Sequence, residues 1–387
     1  MGEVGVSGTF TFRILGRDTD TQARLGELTT SHGTLPTPVF MPVATHGFMR
    51  ALRIEEVEAS GAAILLANTY HLLIRPGPDR ISALGGLHKF MGWNHAILTD
   101  SGGFQITSLP EHSKITEEGI HFKSHIDGSA CFLGPEEAMD LQAGFGVDIA
   151  MVLDECTPHP YTPRQLSAGL NLTLRWAERS IKRGLAPGQA LFAITQGGND
   201  PALRSRAAKE LGAMPFEGYA IGGLGIGEGR EAMHRMVADH TPELPEDKPR
   251  YLMGVGPPQD IIEAVAAGVD MFDCVIPTRH GRNGGVFTTA GPLNIKNASH
   301  ASDPAPLDPA CPCPVCGRLS RGYLNHVFRS GDYLGGALLT LHNMVYFQRL
   351  MESIRKAIQE GSLHEVRNRI HAAYPPKESG KRPVPKG

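Results

Sequence analysis

The chain has 387 residues, of which 41% are hydrophobic and 20% are charged, and its formal net charge is -3. This composition predicts a globular protein with a large core and excludes wholesale disorder. Because the net charge is slightly negative, a nucleic-acid partner would have to be held by a local basic patch rather than by the whole surface.

The termini and cysteines indicate the compartment. The N-terminal segment lacks the basic stretch and long apolar run of a secretory signal, and no uncharged apolar stretch approaches the ~20 residues that span a bilayer. Three of the six cysteines fall within residues 311–316 and the others are scattered, which is typical of a metal site rather than of a disulfide scaffold. We therefore expect a cytoplasmic protein without a membrane segment.

Along the chain, residues 1–34 are predicted to form an N-terminal hairpin or small sheet. Eight short apolar runs follow, each ending in a polar residue or glycine, as is typical of parallel strands buried on both faces. The runs are 39–43, 63–68, 96–100, 148–154, 191–196, 219–223, 251–254 and 269–273. Helical patterns lie between them, several opened by proline, at 54–60, 135–144, 163–184, 201–211 and 258–267.

This alternation predicts an α/β fold, a (β/α)8 TIM barrel over residues 35–289, with the N-terminal sheet capping it. An open doubly wound sheet is the alternative, but it would not require eight strands. Residues 290–362, rich in Pro, Cys and small residues before a helical pattern at 334–360, are predicted to form a zinc-binding subdomain with a long helix. The segment 375–387 is expected to be a disordered tail.

Polar residues follow the predicted strands. In a (β/α)8 barrel the carboxyl ends of the strands converge on one mouth, where active sites lie. These ends supply Asn68, Asp100, Asp154, Gln196 and Asp273. A single Asp at such a position is more simply explained as a helix N-cap, but three in one barrel favour an active site.

The residue types at this mouth suggest a substrate. Asp154 and Gln196, with a bare amide at Gly223, match the donors and acceptor on the edge of a guanine-like heterocycle. Asp100 and Asp273 resemble the two carboxylates that cleave a glycosidic bond, one attacking the anomeric carbon and the other moving protons. From the residues alone, the function is a glycosidic-bond enzyme or transferase, with a purine as one candidate substrate.

A second cluster predicts a structural metal site. Cys311, Cys313 and Cys316, with His342 on the following helix, would complete a closed tetrahedral Zn2+ shell. Free cysteines beside a surface histidine are the alternative. His326 is a second candidate for the fourth ligand, but His342 lies on the more apolar helix, where a ligand is held rigidly.

A basic, glycine-bearing run follows the last predicted strand. Arg279, His280, Gly281 and Arg282 are expected to form a flexible loop that grips an RNA backbone, with an ordinary solvated loop as the alternative. Further arginines near the cysteines would either extend this patch or be unremarkable surface charges; they are Arg318, Arg321 and Arg329.

Several longer strings occur in one order from residue 39 to residue 342: LANTYHLLIRPG, DSGGFQ, HIDGS, DEC, QGG, YAIGGLGIGE, YLMGVG and MFDCVIPTRHGRNG, then the cysteine cluster and its histidine. They strongly resemble the bacterial tRNA-guanine transglycosylases, the queuine tRNA-ribosyltransferase family. The resemblance implies a (β/α)8 barrel with one structural zinc per subunit, and a homodimer. It implies exchange of the wobble guanine in GUN anticodons (tRNAs for Asp, Asn, His and Tyr) for 7-aminomethyl-7-deazaguanine (prequeuine), toward queuosine.

The resemblance also assigns roles. Asp273 would be the nucleophile on ribose C1′, giving a covalent tRNA–enzyme intermediate, and Asp100 the general acid/base. The base-binding set would be Asp100, Ser101, Phe104 by stacking, Asp154, Gln196, the Gly223 amide and the Leu224 carbonyl. Residues 279–282 would hold the anticodon stem-loop.

One position bears on the choice of incoming base. The branched Ile226 is similar to the residue of the bacterial enzymes and favours prequeuine over the bulkier queuine. The alternatives are an archaeosine-type enzyme, a non-catalytic tRNA-binding paralogue and a barrel glycosidase acting on sugars. The first normally carries extra C-terminal RNA-binding domains, the second lacks the paired aspartates, and the third would not need the base-recognition residues.

Overall fold

The computed structural model describes residues 10–107 and 113–375. Residues 376–387 of the predicted tail lie outside the described residues. Residues 1–9 of the predicted N-terminal sheet lie outside them as well. That small sheet is antiparallel and has three strands in the order β1-β2-β3, β1 Thr11–Arg17, β2 Arg24–Thr30 and β3 Gly33–Thr37. Its third strand continues past residue 34.

Thirteen further strands follow along the described part of the chain. They are β4 Val39–Pro42, β5 Ile64–Asn68, β6 Ala96–Asp100, β7 Ser113–Ile115, β8 Ile120–Lys123, β9 Ala130–Leu133, β10 Ile149–Met151, β11 Ala190–Thr195, β12 Gly218–Ile221, β13 Arg250–Leu252, β14 Met271–Cys274, β15 Gly285–Thr288 and β16 Gly291–Asn294. All eight predicted barrel strands are confirmed. They form one parallel sheet in the order β4-β14-β13-β12-β11-β10-β6-β5, while β7, β8 and β9 make a separate antiparallel sheet.

The eight-stranded sheet closes into a barrel. The last strand, β14, pairs with the first, β4, and a parallel bridge between Val43 and Leu66 joins β4 to β5. The Ala44 amide donates to the Leu66 carbonyl at 2.7 Å across the same seam. Strands such as β5, β6 and β11 are buried at every residue, which explains why they occur as continuous apolar runs rather than alternating ones. The predicted TIM barrel is therefore confirmed.

The described residues also form fourteen α-helices. They are α1 Ile54–Ala59, α2 Thr69–Ile74, α3 Pro78–Ala83, α4 Leu87–Met91, α5 Gly103–Thr107, α6 Pro135–Phe145, α7 Pro163–Arg183, α8 Pro201–Gly212, α9 Arg230–His240, α10 Pro258–Ala266, α11 Ile276–Arg282, α12 Arg321–Arg329, α13 Tyr333–Glu360 and α14 Leu363–Ala373. The predicted helices agree to within one residue at each end. Capping explains the sharp starts: the Thr162 hydroxyl accepts from the Gln165 amide before α7, and Asp200 caps α8.

Beyond the barrel, the hairpin of β15 and β16 and helix α12 surround a second, smaller apolar core. The long helix α13 belongs to both parts. It carries His342 beside the small core, and its Phe347 ring packs on Phe40 of β4 with 4.7 Å between centroids. In the described ranges, no helix is long and apolar enough to cross a membrane.

The basic run predicted as a flexible loop is helical instead. Residues 279–282 form the last turn of α11, and α11 packs directly against α13. A Cβ at Gly281 would lie 2.6 Å from the Thr340 amide nitrogen, so glycine permits this close helix approach. The Asn343 side chain also donates to the Pro277 carbonyl at 2.9 Å. Packing against α13 therefore fixes a segment whose glycines suggested mobility.

Candidate active site and metal centre

A cavity of about 300 Å³ opens at the carboxyl end of the barrel strands. It collects residues from seven of the eight barrel strands and the loops that follow them. The predicted residues that line it are Asp100, Ser101, Phe104, Asp154, Gln196, Gly223, Leu224, Ile226 and Asp273. The eight catalytic and base-binding residues chosen from the sequence thus share one cavity with Ile226, and this cavity lies where (β/α)8 barrels bind substrates.

Asp100, at the end of β6, is held by its neighbours. Its Oδ1 accepts from the Thr69 and Gly102 amides, both at 3.1 Å, and its Oδ2 accepts from the Asn68 side-chain amide at 2.5 Å. These hydrogen bonds lower the pKa of Asp100, but burial has the larger effect and raises it to about 7. The charge of Asp273 raises the pKa further. A carboxyl with a pKa near neutrality can both give and take a proton.

Asp273, on β14, is held through one oxygen. The Tyr251 hydroxyl donates to Oδ1 at 2.6 Å and the Gly254 amide donates to the same atom at 2.7 Å. Burial raises the pKa of Asp273 above its ordinary value, while these two bonds favour the ionised form. Because Asp273 also perturbs Asp100 electrostatically, the two carboxyls act on one cavity as a pair.

Asp154 and Gln196 form a hydrogen-bonded unit. Gln196 Nε2 donates to Asp154 Oδ2 at 2.7 Å, and Ser101 Oγ donates to Oδ1 at 3.3 Å. Burial raises the pKa of Asp154 to about 6. Each Asp154 oxygen retains acceptor capacity for a bound ligand, and Gln196 Nε2 retains a second N–H.

The glycines after β12 make room for Gln196. A Cβ at Gly223, where φ is +66°, would lie 2.4 Å from Gln196 Oε1. The buried Arg204 guanidinium fixes both strand ends, since it donates to the Thr195 carbonyl at 2.9 Å and to the Gly222 carbonyl at 2.7 Å. Burial lowers the pKa of Arg204 to about 10, so it remains charged at neutral pH.

The loop that follows carries Leu224 and Ile226. The Glu228 carboxylate accepts from the backbone amides of Gly225, Ile226 and Gly227, the last two at 3.0 Å. This carboxylate therefore sets the loop conformation on which the Ile226 side chain lines the cavity.

An aromatic side chain lines the cavity, and the basic helix α11 begins directly after Val275 of its lining. The Phe104 ring is 48% exposed, so a flat ligand can reach it. Arg279 and His280 are exposed on α11, and the His280 ring stacks on Phe287 with 5.4 Å between centroids. Gly281 is buried against α13, so it contributes packing rather than a surface contact.

Three arginines, which we call the basic rim, lie close enough together to repel one another; they are Arg50, Arg279 and Arg282. Burial, with the charges of Arg50 and Arg279, lowers the pKa of Arg282. Within residues 10–107 and 113–375 no salt bridge neutralises these arginines, and like charges held together suit a polyanionic partner. Arg50 comes from the loop after β4 and was not among the predicted residues.

The predicted metal ligands converge near the C-terminus. The sulfurs of Cys311, Cys313 and Cys316 and one nitrogen of His342 all lie within 4.8 Å of one another. His342 Nδ1 is 3.2 Å from Cys316 Sγ and 3.5 Å from Cys313 Sγ, and His342 Nε2 donates to the Phe287 carbonyl at 2.8 Å. That outer hydrogen bond places the proton on Nε2 and leaves the Nδ1 lone pair toward the sulfurs, as a metal ligand requires. Hydrogen bonds from neighbouring thiols lower the pKa of Cys313. These four residues fit a metal ion.

The sequence placed Asn68 at the mouth without assigning it a role, and it missed other residues of the site. Tyr251, Asn68 and Gln105 all bond a catalytic candidate, and Gln105 Nε2 lies 3.2 Å from Asp100 Oδ2. Asn68 stood at a strand end, and Gln105 lies in the DSGGFQ string, so both carried a signal. Tyr251 and Arg204 carried none, because a tyrosine in a buried strand and an arginine on a helix look structural.

The fold and site thus define a (β/α)8-barrel enzyme with paired carboxyls beside a base-sized recognition pocket. A family model described as Queuine tRNA-ribosyltransferase matches residues 18–376. A queuine tRNA-ribosyltransferase of Moorella thermoacetica is 50% identical over 364 residues, which cover 94% of this chain and 98% of the relative. Those of Dinoroseobacter shibae and Novosphingobium aromaticivorans are 53% and 52% identical, covering 91% of this chain and 93% and 95% of the relatives.

The chain therefore belongs to the queuine tRNA-ribosyltransferase family and is a glycosyltransferase of the pentosyltransferase class.

Proposed function

We propose that this enzyme exchanges the wobble guanine of tRNAs with GUN anticodons for 7-aminomethyl-7-deazaguanine, through a covalent tRNA–aspartyl intermediate. The observation that carries this proposal is the sharing of one cavity by two carboxyls, Asp100 and Asp273, and a base-recognition unit, Asp154 with Gln196. Cleavage chemistry and purine recognition are thereby available to one bound nucleotide.

In the first half of the reaction, the Asp273 carboxylate attacks ribose C1′ of the wobble nucleotide. The C1′–N9 bond breaks as the C1′–O bond forms, and guanine leaves with a proton supplied by Asp100. The pKa of about 7 for Asp100 supports this role, since the acid is substantially protonated at neutral pH.

The second half restores the enzyme. N9 of the incoming base gives its proton to the Asp100 carboxylate and attacks C1′, which releases Asp273. One N-glycosidic bond has replaced another and the Asp100 proton is returned. The exchange therefore needs no external energy source and no nucleotide cofactor.

Base recognition follows from the donors and acceptors in the cavity. Asp154 accepts from N1–H and the exocyclic amine of guanine, while Gln196 and the Gly223 amide donate to O6. Ser101 holds Asp154, Phe104 stacks on the base, and the Leu224 carbonyl accepts from the aminomethyl group of prequeuine.

Ile226 determines which modified base fits. Its branched side chain lines the cavity on a loop fixed by Glu228, and this supports the smaller aminomethyl group as substrate rather than the bulkier cyclopentenediol. An Ile226→Gly variant should incorporate queuine measurably while the wild type prefers prequeuine, as measured by competition between the two bases. Equal use of both bases by the wild type would contradict this assignment.

The basic rim binds the tRNA. Arg279 and Arg282, with Arg50 beside them, would contact phosphates of the anticodon stem-loop, and His280 would extend this surface. The start of α11 directly after Val275 of the cavity lining supports a role for this helix in holding the strand whose wobble nucleotide enters.

The cysteine–histidine cluster would hold Zn2+ as a structural ion. Three thiolates and one imidazole fill four coordination positions and leave none for a reacting water. Elemental analysis should find zinc held at this cluster, and a Cys316→Ser variant should hold one ion per chain fewer than the wild type. Folded protein free of zinc would refute this assignment.

Assembly and location complete the proposal. A homodimer is supported by large apolar side chains exposed on α12 and α13; these are Tyr323, Tyr333 and Leu334. Light scattering at micromolar concentration should report twice the monomer mass.

A tRNA substrate and free cysteines both support a cytoplasmic location.

The decisive experiment incubates the protein with labelled guanine and unmodified tRNA bearing a GUN anticodon. Label should enter the tRNA with the wild type and with an Asp140→Asn control, whose carboxyl is exposed on α6. Asp273→Asn should abolish both exchange and the denaturant-resistant tRNA adduct, and Asp100→Asn should abolish exchange. No incorporation by folded wild-type protein would reject the function, and an adduct that survives in Asp273→Asn would assign the nucleophile elsewhere.

A further inference from the structure

A second group of potential metal ligands lies at the opposite end of the barrel. Asp148 immediately precedes β10, whereas Asp154 follows it at the catalytic mouth. At ~3.3 Å per residue, the two carboxyls are separated by roughly 20 Å along the chain. Anything that binds at Asp148 is therefore outside the substrate cavity.

Two histidines converge on the Asp148 carboxylate. His32 Nδ1 lies 2.8 Å from Asp148 Oδ1, and His88 Nε2 lies 3.2 Å from Oδ2. The two imidazole rings are stacked, with 3.6 Å between centroids and 14° between planes. One nitrogen of each ring and one carboxylate oxygen all lie within 4.8 Å of one another.

The three side chains come from three parts of the fold. His32 is on the tight turn between β2 and β3, His88 is on α4, and Asp148 leads into β10. The same turn is also tied to the barrel by Ser31 Oγ, which donates to the Gly188 carbonyl at 3.2 Å. The cluster is thus the point at which the N-terminal sheet meets the closed end of the barrel.

The environment favours a cation. The Asp148 side chain is fully buried, His88 is nearly so, and His32 is about one-third exposed, which gives access from solvent. The Ile97 amide holds Oδ2 at 2.9 Å and so fixes the carboxylate.

We propose that His32, His88 and Asp148 bind a divalent transition-metal ion, Zn2+ being the natural probe, that fastens the N-terminal sheet to the barrel. Two imidazoles and one carboxylate are ligands that such ions accept, with remaining positions filled by water. Binding requires each facing nitrogen to present its lone pair. His88 Nε2 also faces the His95 carbonyl oxygen at 3.1 Å, so its proton has to move to Nδ1 and that hydrogen bond is given up when the ion binds. The proton of His32 has to lie on Nε2 in the same way.

This role is structural and independent of the proposed transfer reaction. An ion that binds the folded protein and not the unfolded chain stabilises the fold by mass action. The site requires only that the fold hold the two imidazoles beside the carboxylate. It requires no reacting group. Loss of the ion should leave guanine exchange at permissive temperature unchanged.

The test is metal stoichiometry on the full chain with its cysteine site loaded. After equilibrium dialysis against micromolar Zn2+, the wild type should hold two ions per chain. His32→Gln and His88→Gln should each hold one, because glutamine keeps a donor toward Asp148 but is a poor zinc ligand. His364→Gln, an exposed histidine on α14, should still hold two.

Thermal unfolding gives a second readout. Added Zn2+ should raise the Tm of the wild type and of His364→Gln by several degrees, and should leave the Tm of His32→Gln unchanged. A wild type that saturates at the single ion of the cysteine site would overturn the proposal. So would a second ion that persists in both His32→Gln and His88→Gln.

Discussion

The Tyr251 hydroxyl donates a 2.6 Å hydrogen bond to Oδ1 of Asp273. The Gly254 amide donates to the same oxygen at 2.7 Å. Both bonds favour the ionised carboxylate in a site where burial opposes ionisation. Within the described part of the chain, Oδ2 accepts no hydrogen bond, and it is therefore the more nucleophilic oxygen of Asp273.

Replacing Tyr251 should change the acid limb of the pH profile. Tyr251→Phe removes a hydrogen bond to the charged form of Asp273, so the pKa of Asp273 rises and less nucleophile is ionised at low pH. The acid limb of kcat/KM should move to higher pH by roughly one unit. Tyr219→Phe is the matched control, because the Tyr219 hydroxyl on β12 donates only to the Met214 carbonyl, at 3.3 Å. An unchanged limb in Tyr251→Phe would argue against Asp273 as the nucleophile.

Asp100 should set the alkaline limb. With its pKa raised to about 7, it is protonated below that pH and ionised above it, so single-turnover release of guanine should slow as pH rises through about 7. Asn68→Ser removes the donor to Oδ2 but keeps a helix-capping oxygen. Losing this bond to the charged form raises the pKa of Asp100, so the alkaline limb should move to higher pH. If the alkaline limb of Asn68→Ser stays at the wild-type pH, a group other than Asp100 sets that limb.

Gly223 should be required for base recognition rather than for folding. Gly223→Ala drives the new methyl group into Gln196 Oε1 and displaces Gln196 from Asp154, so KM for guanine should rise about tenfold, the equivalent of one lost hydrogen bond. Gly146→Ala is a control with similar backbone, φ +68°, and open space around the added carbon. Both variants carry the same cost of the left-handed conformation, about 1–2 kcal/mol. An equal KM in the two variants would contradict a role for Gln196 in binding.

Arg279 should contribute to tRNA affinity through charge. Arg279→Ala removes one exposed cation from the rim, so the slope of log affinity against log salt should fall by about 1, with weaker binding at low salt. Filter binding across a salt series measures this slope. Arg13→Ala, which removes another exposed cation, this one from the N-terminal sheet, should leave it unchanged. Equal slopes for Arg279→Ala and wild type would remove this arginine from the interface.

The N-terminal sheet is anchored by a buried ion pair, and breaking it should destabilise the fold. The Arg24 guanidinium contacts Asp270, and both side chains are fully buried. Arg24→Met leaves Asp270 buried without its partner, which should lower the free energy of unfolding by about 3–5 kcal/mol. The exposed pair of Arg13 and Glu27 gives the comparison, since Arg13→Met should cost at most about 1 kcal/mol. Denaturant unfolding measures both, and similar losses would show that burial of the pair is not the cause.

The sequence predicted the barrel well because its strands are buried on both faces. Such strands must be short continuous apolar runs, and all eight could be located without any long-range information. The same topology brings strand ends together, so Asp100, Asp154 and Asp273 could be placed in one cavity. The metal ligands were found for a similar reason, because three cysteines within six residues are a local pattern typical of a metal site.

The sequence could not predict features that depend on contacts between distant segments. The run 279–282 is helical because Gly281 lets α11 pack against Thr340 of α13, and glycine in isolation suggests a loop. Arg50 joins Arg279 and Arg282 only because the loop after β4 folds beside α11. His32, His88 and Asp148 are separated by dozens of residues and have no shared motif.

By itself, then, the chain of residues determined the order of elements and the inventory of chemical groups at the barrel mouth, because hydrophobic periodicity and strand-end polarity are local properties. The tertiary structure alone decided the protonation of those groups and their partners. Withdrawal from water raises the pKa of Asp100 toward neutrality, and the Tyr251 hydroxyl selects one oxygen of Asp273. Both effects depend on what surrounds a side chain in space, and no spacing along the sequence encodes that.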